Sequence, residues 1–179
     1  MLDKKRCLLI VTDVQGKLAE LMFEREELFN NIGIMIDSFK ILDIPILWLE
    51  QYPEGLGPTV PDVASHLEGL EPLPKKAFSA IKDKTIHDRI TDSGRDQIIL
   101  IGIETHICIY QTATDLISKG IETHVVKDAI SSRTESNKAV GLEKIALIGG
   151  NITSVETALF ELLVIAEGEA FKKILKLIK

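Results

Sequence analysis

Few stretches limit a fold as tightly as Gln97-Ile-Ile-Leu-Ile-Gly-Ile-Glu-Thr-His-Ile-Cys-Ile-Tyr-Gln-Thr-Ala-Thr-Asp115. Its opening run of branched aliphatics, Ile98 to Ile101, reads as a strand buried on both faces, the signature of a parallel sheet covered on each side. Gly102 ends the run. Glu104-Thr105 then open a helical pattern that continues through Tyr110, Ala113 and Leu116-Ile117. Cys108 falls in the first turn of that helix. Unpaired N–H groups at a helix N-terminus stabilise an anion, so a thiol there is pushed toward its nucleophilic thiolate. A buried cysteine acting as a small hydrophobe fits the same stretch. Both readings stand at this point.

The rest of the chain repeats the strand–helix alternation. Cys7 to Thr12 is a buried strand ending at Asp13, and a polar turn follows. Glu24 to Leu42 carries Leu28, Ile32, Met35-Ile36 and Phe39 at helical spacing. Ile44 to Leu49 is a second strand with Pro45 near its start. Gln51 to Pro61 holds three prolines and two glycines and reads as an irregular loop. Pro61 opens a short helix toward Leu67. Lys75 to Ala80 is weakly strand-like, and Ile86 to Ile90 is a helical turn closed by Asp92-Ser-Gly94. After the organising strand and helix, closed by Gly120, come a strand from Glu122 to Val126 and a helix from Asn137 to Ile148. A last short strand, Ile152-Thr153, precedes a helix from Val155 to Ile165. The expected fold is α/β: a single domain spanning 1–179, doubly wound, with a mainly parallel six-stranded sheet and helices on both faces. With strand order 3-2-1-4-5-6 the switch point lies between the strands ending at Thr12 and Ile101. Ligands bind beside such a point at the carboxyl ends of the strands. Asp13 and Cys108 should face each other there.

Charge and cysteine usage narrow the function classes. A formal net charge of −6 over 179 residues argues against nucleic acid as a main partner. The basic run Phe171 to Lys179 resembles a membrane-surface helix less than a docking helix whose lysines favour its last turn. No apolar stretch approaches a membrane span. Asp3-Lys-Lys-Arg6 leads straight into a strand, which is not the pattern of a signal peptide. Two cysteines, Cys7 and Cys108, form no disulfide framework and point to a cytoplasmic protein.

A cysteine nucleophile needs a proton acceptor, a positive group, and donors for the oxyanion. Asp13 can be the acceptor. Either Lys75 or Lys76, after Pro72-Leu-Pro74, can be the cation. Lowering a thiol pKa from about 8.5 to about 7 takes roughly 2 kcal/mol, whereas a helix terminus typically supplies about 0.3–1. A lysine is therefore a physical need. Cys7 and Trp48 read as core, and His106 as an exposed or core histidine. Gly55-Leu-Gly57 lacks the later glycine and helix of a dinucleotide loop.

Three segments together resemble the motifs of the isochorismatase-like cysteine hydrolases: Val11-Thr-Asp13-Val-Gln15, Lys75-Lys-Ala-Phe-Ser79 and Gly102-Ile-Glu-Thr-His-Ile-Cys108. Asp128-Ala-Ile-Ser-Ser-Arg133 and Gly150-Asn-Ile-Thr-Ser-Val-Glu-Thr157 extend the likeness over nearly the whole chain. The loop Glu50 to Thr59 is similar to that of small family members of unassigned substrate. The resemblance implies Asp13 as general base, Lys75 rather than Lys76 as the cation, and Cys108 as nucleophile. It also implies an oxyanion hole from the N–H groups of Glu104 and Cys108, a cis peptide between Ile103 and Glu104, and a homo-oligomer with its contact near Ser131 to Thr157. Gln15, Gln51, Tyr52 and Ser79 are candidate pocket residues. The metal-binding histidines of related nicotinamidases have no counterpart between Gln51 and Ser65, so neither metal nor cofactor is expected. A cysteine at 108 also departs from relatives that cleave a vinyl ether. The expected function is hydrolysis of a small amide, or of an ester or carbamoyl group, through an acyl-cysteine. A non-catalytic scaffold and a ribonuclease role are the alternatives.

Overall fold

The computed structural model describes all 179 residues. Its strands are β1 (Cys7–Thr12), β2 (Ile46–Gln51), β3 (Leu73–Lys75), β4 (Gln97–Ile103), β5 (Glu122–Ser131) and β6 (Asn151–Thr153). They form one parallel sheet in the order β3-β2-β1-β4-β5-β6, as the alternation of apolar runs and helices requires. Nine helices surround it: α1 (Gly16–Glu20), α2 (Arg25–Ile41), α3 (Pro53–Leu56), α4 (Pro61–Ala64), α5 (Lys84–Asp92), α6 (Tyr110–Ser118), α7 (Glu135–Leu147), α8 (Val155–Leu163) and α9 (Gly168–Ile178).

Alternate residues of each central strand feed opposite cores, because strand side chains alternate in direction. Leu9, Val11, Ile99 and Ile101 pack with Ile32, Met35, Ile36 and Phe39 of α2, Leu159 of α8 and Ile174 of α9. Leu8, Ile10, Ile98 and Leu100 pack with Ile86 of α5, Leu116 of α6 and Ile145 of α7. The basic C-terminal run is thus a docked helix, with Ile174 fully buried.

Several boundaries differ from the sequence reading. β2 starts at Ile46, since Pro45 has no N–H to give the ladder; its carbonyl accepts from Leu9 N. Lys75 ends β3 instead of starting a strand to Ala80, and the chain beyond it bends into a 3₁₀ turn at Ala80–Lys82. There the Lys75 side chain turns inward to polar partners. The loop after β2 contains α3, opened by Pro53 in its first turn, and the polar turn after β1 contains α1. β5 continues past Val126 through the polar Lys127-Asp128 pair. Asp128 is held there by Asn31 Nδ2 on its carbonyl and by Val155 N on its carboxylate.

At the switch point β1 and β4 run in register to Thr12 and Gly102. A Cβ on Gly102 would sit 2.1 Å from the Thr12 carbonyl oxygen, and its φ of +109° lies in the region that favours glycine. Glycine at 102 lets the two strand ends close on each other.

Candidate active site

Three elements deliver the central side chains. Asp13 leaves the end of β1 in a left-handed conformation (φ 56°), its N–H donating to Leu49 O at 3.2 Å. Lys75 is the last residue of β3. Cys108 lies in the wide π-type turn Thr105–Ile109 that starts the helix continued by α6. All three are buried.

Lys75 Nζ donates to Asp13 Oδ2 at 2.7 Å and to Gln51 Oε1 at 2.6 Å, with the carbonyls of Ala77 and Phe78 at 3.3 and 3.2 Å. The other Asp13 oxygen, Oδ1, is buried without a well-formed hydrogen bond. The Cys108 thiol is near enough for each group to shift the other's ionisation, although it does not satisfy that oxygen in good geometry.

Burial, reinforced by the Asp13 charge and opposed by Lys75, pushes the Cys108 thiol up to about 12. Burial also raises the Asp13 carboxyl, with Lys75 again opposing. Of the two readings the sequence left open, this direction runs against a helix-stabilised thiolate. Desolvation outweighs the helix terminus, and the lysine charge faces a carboxylate before it faces the sulfur. Burial thus favours the protonated sulfur beside the Asp13–Lys75 pair.

The Ile103–Glu104 peptide is cis. The Glu104 N–H takes part in no backbone hydrogen bond. The Glu104 carboxylate is turned away to accept from Arg133 N and Nε at 3.1 and 3.0 Å. Gly141 of α7 packs on this turn, where a Cβ would lie 2.8 Å from His106 N. His106 Nδ1 meets Ser132 Oγ at 2.9 Å, which ties the helix start to the end of β5.

The four candidate pocket residues divide into two pairs. Gln15 is fully buried and braces the Gln51 backbone. Its Oε1 accepts from Gln51 N at 2.6 Å, and its Nε2 donates to Gln51 O at 3.1 Å and Gly57 O at 2.7 Å. Gln51 in turn reaches Lys75. Tyr52 and Ser79 instead border clefts on either side of the strap 76–79. One cleft, about 450 Å³, runs past Tyr52, Glu54, Pro74, Lys76 and Lys82. The other, about 490 Å³, runs past Phe78, Ser79, Tyr110, Thr114 and Asp115. Lys75 lines the first of these clefts, whereas Asp13 and Cys108 line neither.

The strap is held from α6. Ala80 N donates to Thr112 Oγ1 at 3.0 Å, and Ser79 Oγ donates to Asp115 Oδ2 at 2.6 Å. Sequence reasoning overlooked Thr112 and Asp115. The available signal was their spacing, four and seven residues after Cys108, which puts all three on one helix face. No three His, Cys, Asp or Glu side chains gather as metal ligands would. A groove of about 470 Å³ beside Glu20, Arg25, Asp62 and His66 contains none of the residues discussed here.

A parallel doubly wound sheet with a buried carboxylate, ammonium and thiol around its switch point defines a narrow class of α/β protein. Residues 7–157 match the isochorismatase domain. The secreted isochorismatase effector Isc1 of Phytophthora sojae is 38% identical over 175 residues, covering 96% of this chain and 83% of that one. Isochorismatase domain-containing protein 2 of Danio rerio is 35% identical over 177 residues, covering 99% and 89%. Among solved structures, the MAR1 ribonuclease of Caenorhabditis elegans aligns with a TM-score of 0.92 at 32% identity, covering 99% of this chain and 91% of that one. The chain belongs to the isochorismatase family. Membership supports a general hydrolase role and leaves the substrate open.

Proposed function

We propose that this protein is a cysteine hydrolase of small amides, or of related esters or carbamoyl compounds. The observation that carries the reading is the buried Lys75–Asp13 pair at 2.7 Å, with Asp13 also coupled to the Cys108 thiol. As the sulfur attacks the substrate carbonyl, the thiol proton passes to Asp13 and a C–S bond forms. Charge on the carbonyl oxygen is met by the N–H groups of Glu104 and Cys108. Asp13 then gives its proton to the leaving nitrogen as the C–N bond breaks. In the second half Asp13 takes a proton from water, the hydroxide attacks the thioester, and the departing sulfur recovers that proton. Lys75 keeps Asp13 placed and offsets negative charge throughout. No metal or cofactor is part of this scheme.

Intact-mass spectrometry after incubation with a panel of small amides, esters and carbamoyl compounds tests the reading. The expected result is an acyl adduct on Cys108 that decays with product formation. Absence of any adduct across a broad panel, with no turnover, would favour a non-catalytic scaffold of the same fold.

A second reading comes from the C. elegans relative described as a ribonuclease. The net charge of −6 weighs against it here, because RNA binding draws on a basic face. RNA affinity that falls steeply with salt, together with cleavage lost in Cys108→Ala, would revive it.

The same proposal includes self-association and a cytoplasmic location. Val140, Leu147 and Ile152, exposed on α7 and the edge strand β6, support the first. The two unpaired thiols support the second, and light scattering and cell fractionation test them.

A further inference from the structure

We propose that Gln51 is a positioning residue which holds the Lys75 ammonium as a neutral acceptor, so that the whole positive charge serves Asp13. This rests on the reading of Asp13, Lys75 and Cys108 as the reacting groups. Lys75 has three protons and a fully buried side chain. One proton goes to Asp13 Oδ2, one to Gln51 Oε1, and one toward the carbonyls of Ala77 and Phe78. Asp13 is the single charged acceptor among them.

The Gln51 amide can point only one way. Its Nε2 donates to the Lys76 carbonyl at 2.7 Å, an acceptor only, so Oε1 must face the ammonium. The Gln51 backbone is fixed in its turn by the two ends of the Gln15 side chain. A continuous chain of bonds thus runs from Gln15 through Gln51 and Lys75 to Asp13. A second carboxylate at 51 would compete for the one ammonium, and an apolar group would leave it short of a partner.

The other ionisable groups facing Asp13 are the Cys108 thiol and Glu50 of β2. The Glu50 carboxylate is occupied by Thr59 N and Oγ1 at 2.7 and 2.8 Å. Residue 51 is therefore a place where the charge balance around Asp13 can be altered while all three reacting groups keep their identity.

The Asp13 side-chain carbonyl can be titrated by ¹³C NMR in wild type, Gln51→Glu and Gln51→Leu, its signal assigned with Asp13→Asn. A new carboxylate beside the pair should raise the Asp13 midpoint by about one pH unit, and Gln51→Leu should not raise it. Equal movement in both variants, or none in folded Gln51→Glu, would show that Gln51 only ties the strap to β2 and would overturn the proposal. If Gln51→Glu is unfolded at pH 7.5, urea titration at pH 4.5 decides. Recovery of the fold as the new carboxyl protonates supports the proposal. Failure at both pH values while Gln51→Leu folds overturns it. Failure of Cys108 to acylate would sink the hydrolase reading and leave these Asp13 titrations as they are, so the two results are separable.

Discussion

Lys75 and Asp13 show what a buried charge requires. The pair is out of water and bonded at 2.7 Å, so removing one partner leaves the other charged and unpaired. Lys75→Met should cost about 3–5 kcal/mol at pH 7.5 by urea denaturation. The cost should shrink at acid pH as Asp13 protonates, and a pH-independent loss would point to packing instead. Cys108 supplies a second test. An unfolded thiol titrates near its ordinary value of 9.0, whereas in the fold burial pushes it up to about 12. Below the lower value both states hold the proton and nothing is lost. Above it the unfolded chain gives up its proton first, so stability falls as pH rises toward the folded value. Cys7, pushed up to about 11, acts in the same direction. Cys108→Ala should therefore lose less stability than wild type between pH 8 and pH 10.5, by on the order of 1–2 kcal/mol. Identical losses would mean that burial does not hold this thiol in its protonated form.

At the scale of elements, the site depends on how strand ends and one helix start are brought together. Gly102→Ala puts a Cβ against the Thr12 carbonyl in a left-handed backbone. It should destabilise the protein by more than about 2 kcal/mol and disturb Asp13, the residue just past the end of β1. Thr112→Val keeps the shape of α6 but strands the Ala80 N–H, at about 1–3 kcal/mol. That variant should loosen the strap from α6, which faster hydrogen exchange at residues 76–80 would report. Unchanged exchange there would mean that the Ser79–Asp115 bond suffices. The elements legible in sequence were those with a long periodic signal. β1 and β4 are apolar on both faces, and α2 carries a clear apolar stripe. β3 was misplaced because it has three residues and ends on a lysine. The short helices α1 and α3 are too brief for any period to show.

For the whole molecule, topology did what local pattern could not. Asp13 and Cys108 are far apart in the chain, yet the order of strands predicts their meeting, since β1 and β4 are neighbours at the switch point. The roles of Gln15, just past β1, and Gln51, at the end of β2, were hidden because side-chain direction at a strand end depends on partners from other segments. The C-terminal helix gives a global test. α9 buries Ile174 in the same core as α2 and α8, so deleting residues 168–179 should lower the melting temperature by roughly 5 °C or more. The full chain should show no affinity for anionic vesicles, and binding through the exposed Lys172 and Lys173 would contradict the docking role of this helix.

Burial that favours the protonated form of Cys108 has a consequence apart from any reaction. Hydrogen peroxide oxidises thiolates far faster than thiols, and here burial favours the thiol, with the Asp13 charge acting in the same direction and Lys75 against it. Such a residue stays reduced through oxidative episodes that would convert an exposed, acidic cysteine to sulfenic acid. Damage of that kind would fall instead on molecules in which the Thr105–Ile109 turn has opened to water, so the redox lifetime of the protein would follow local opening around buried Cys108.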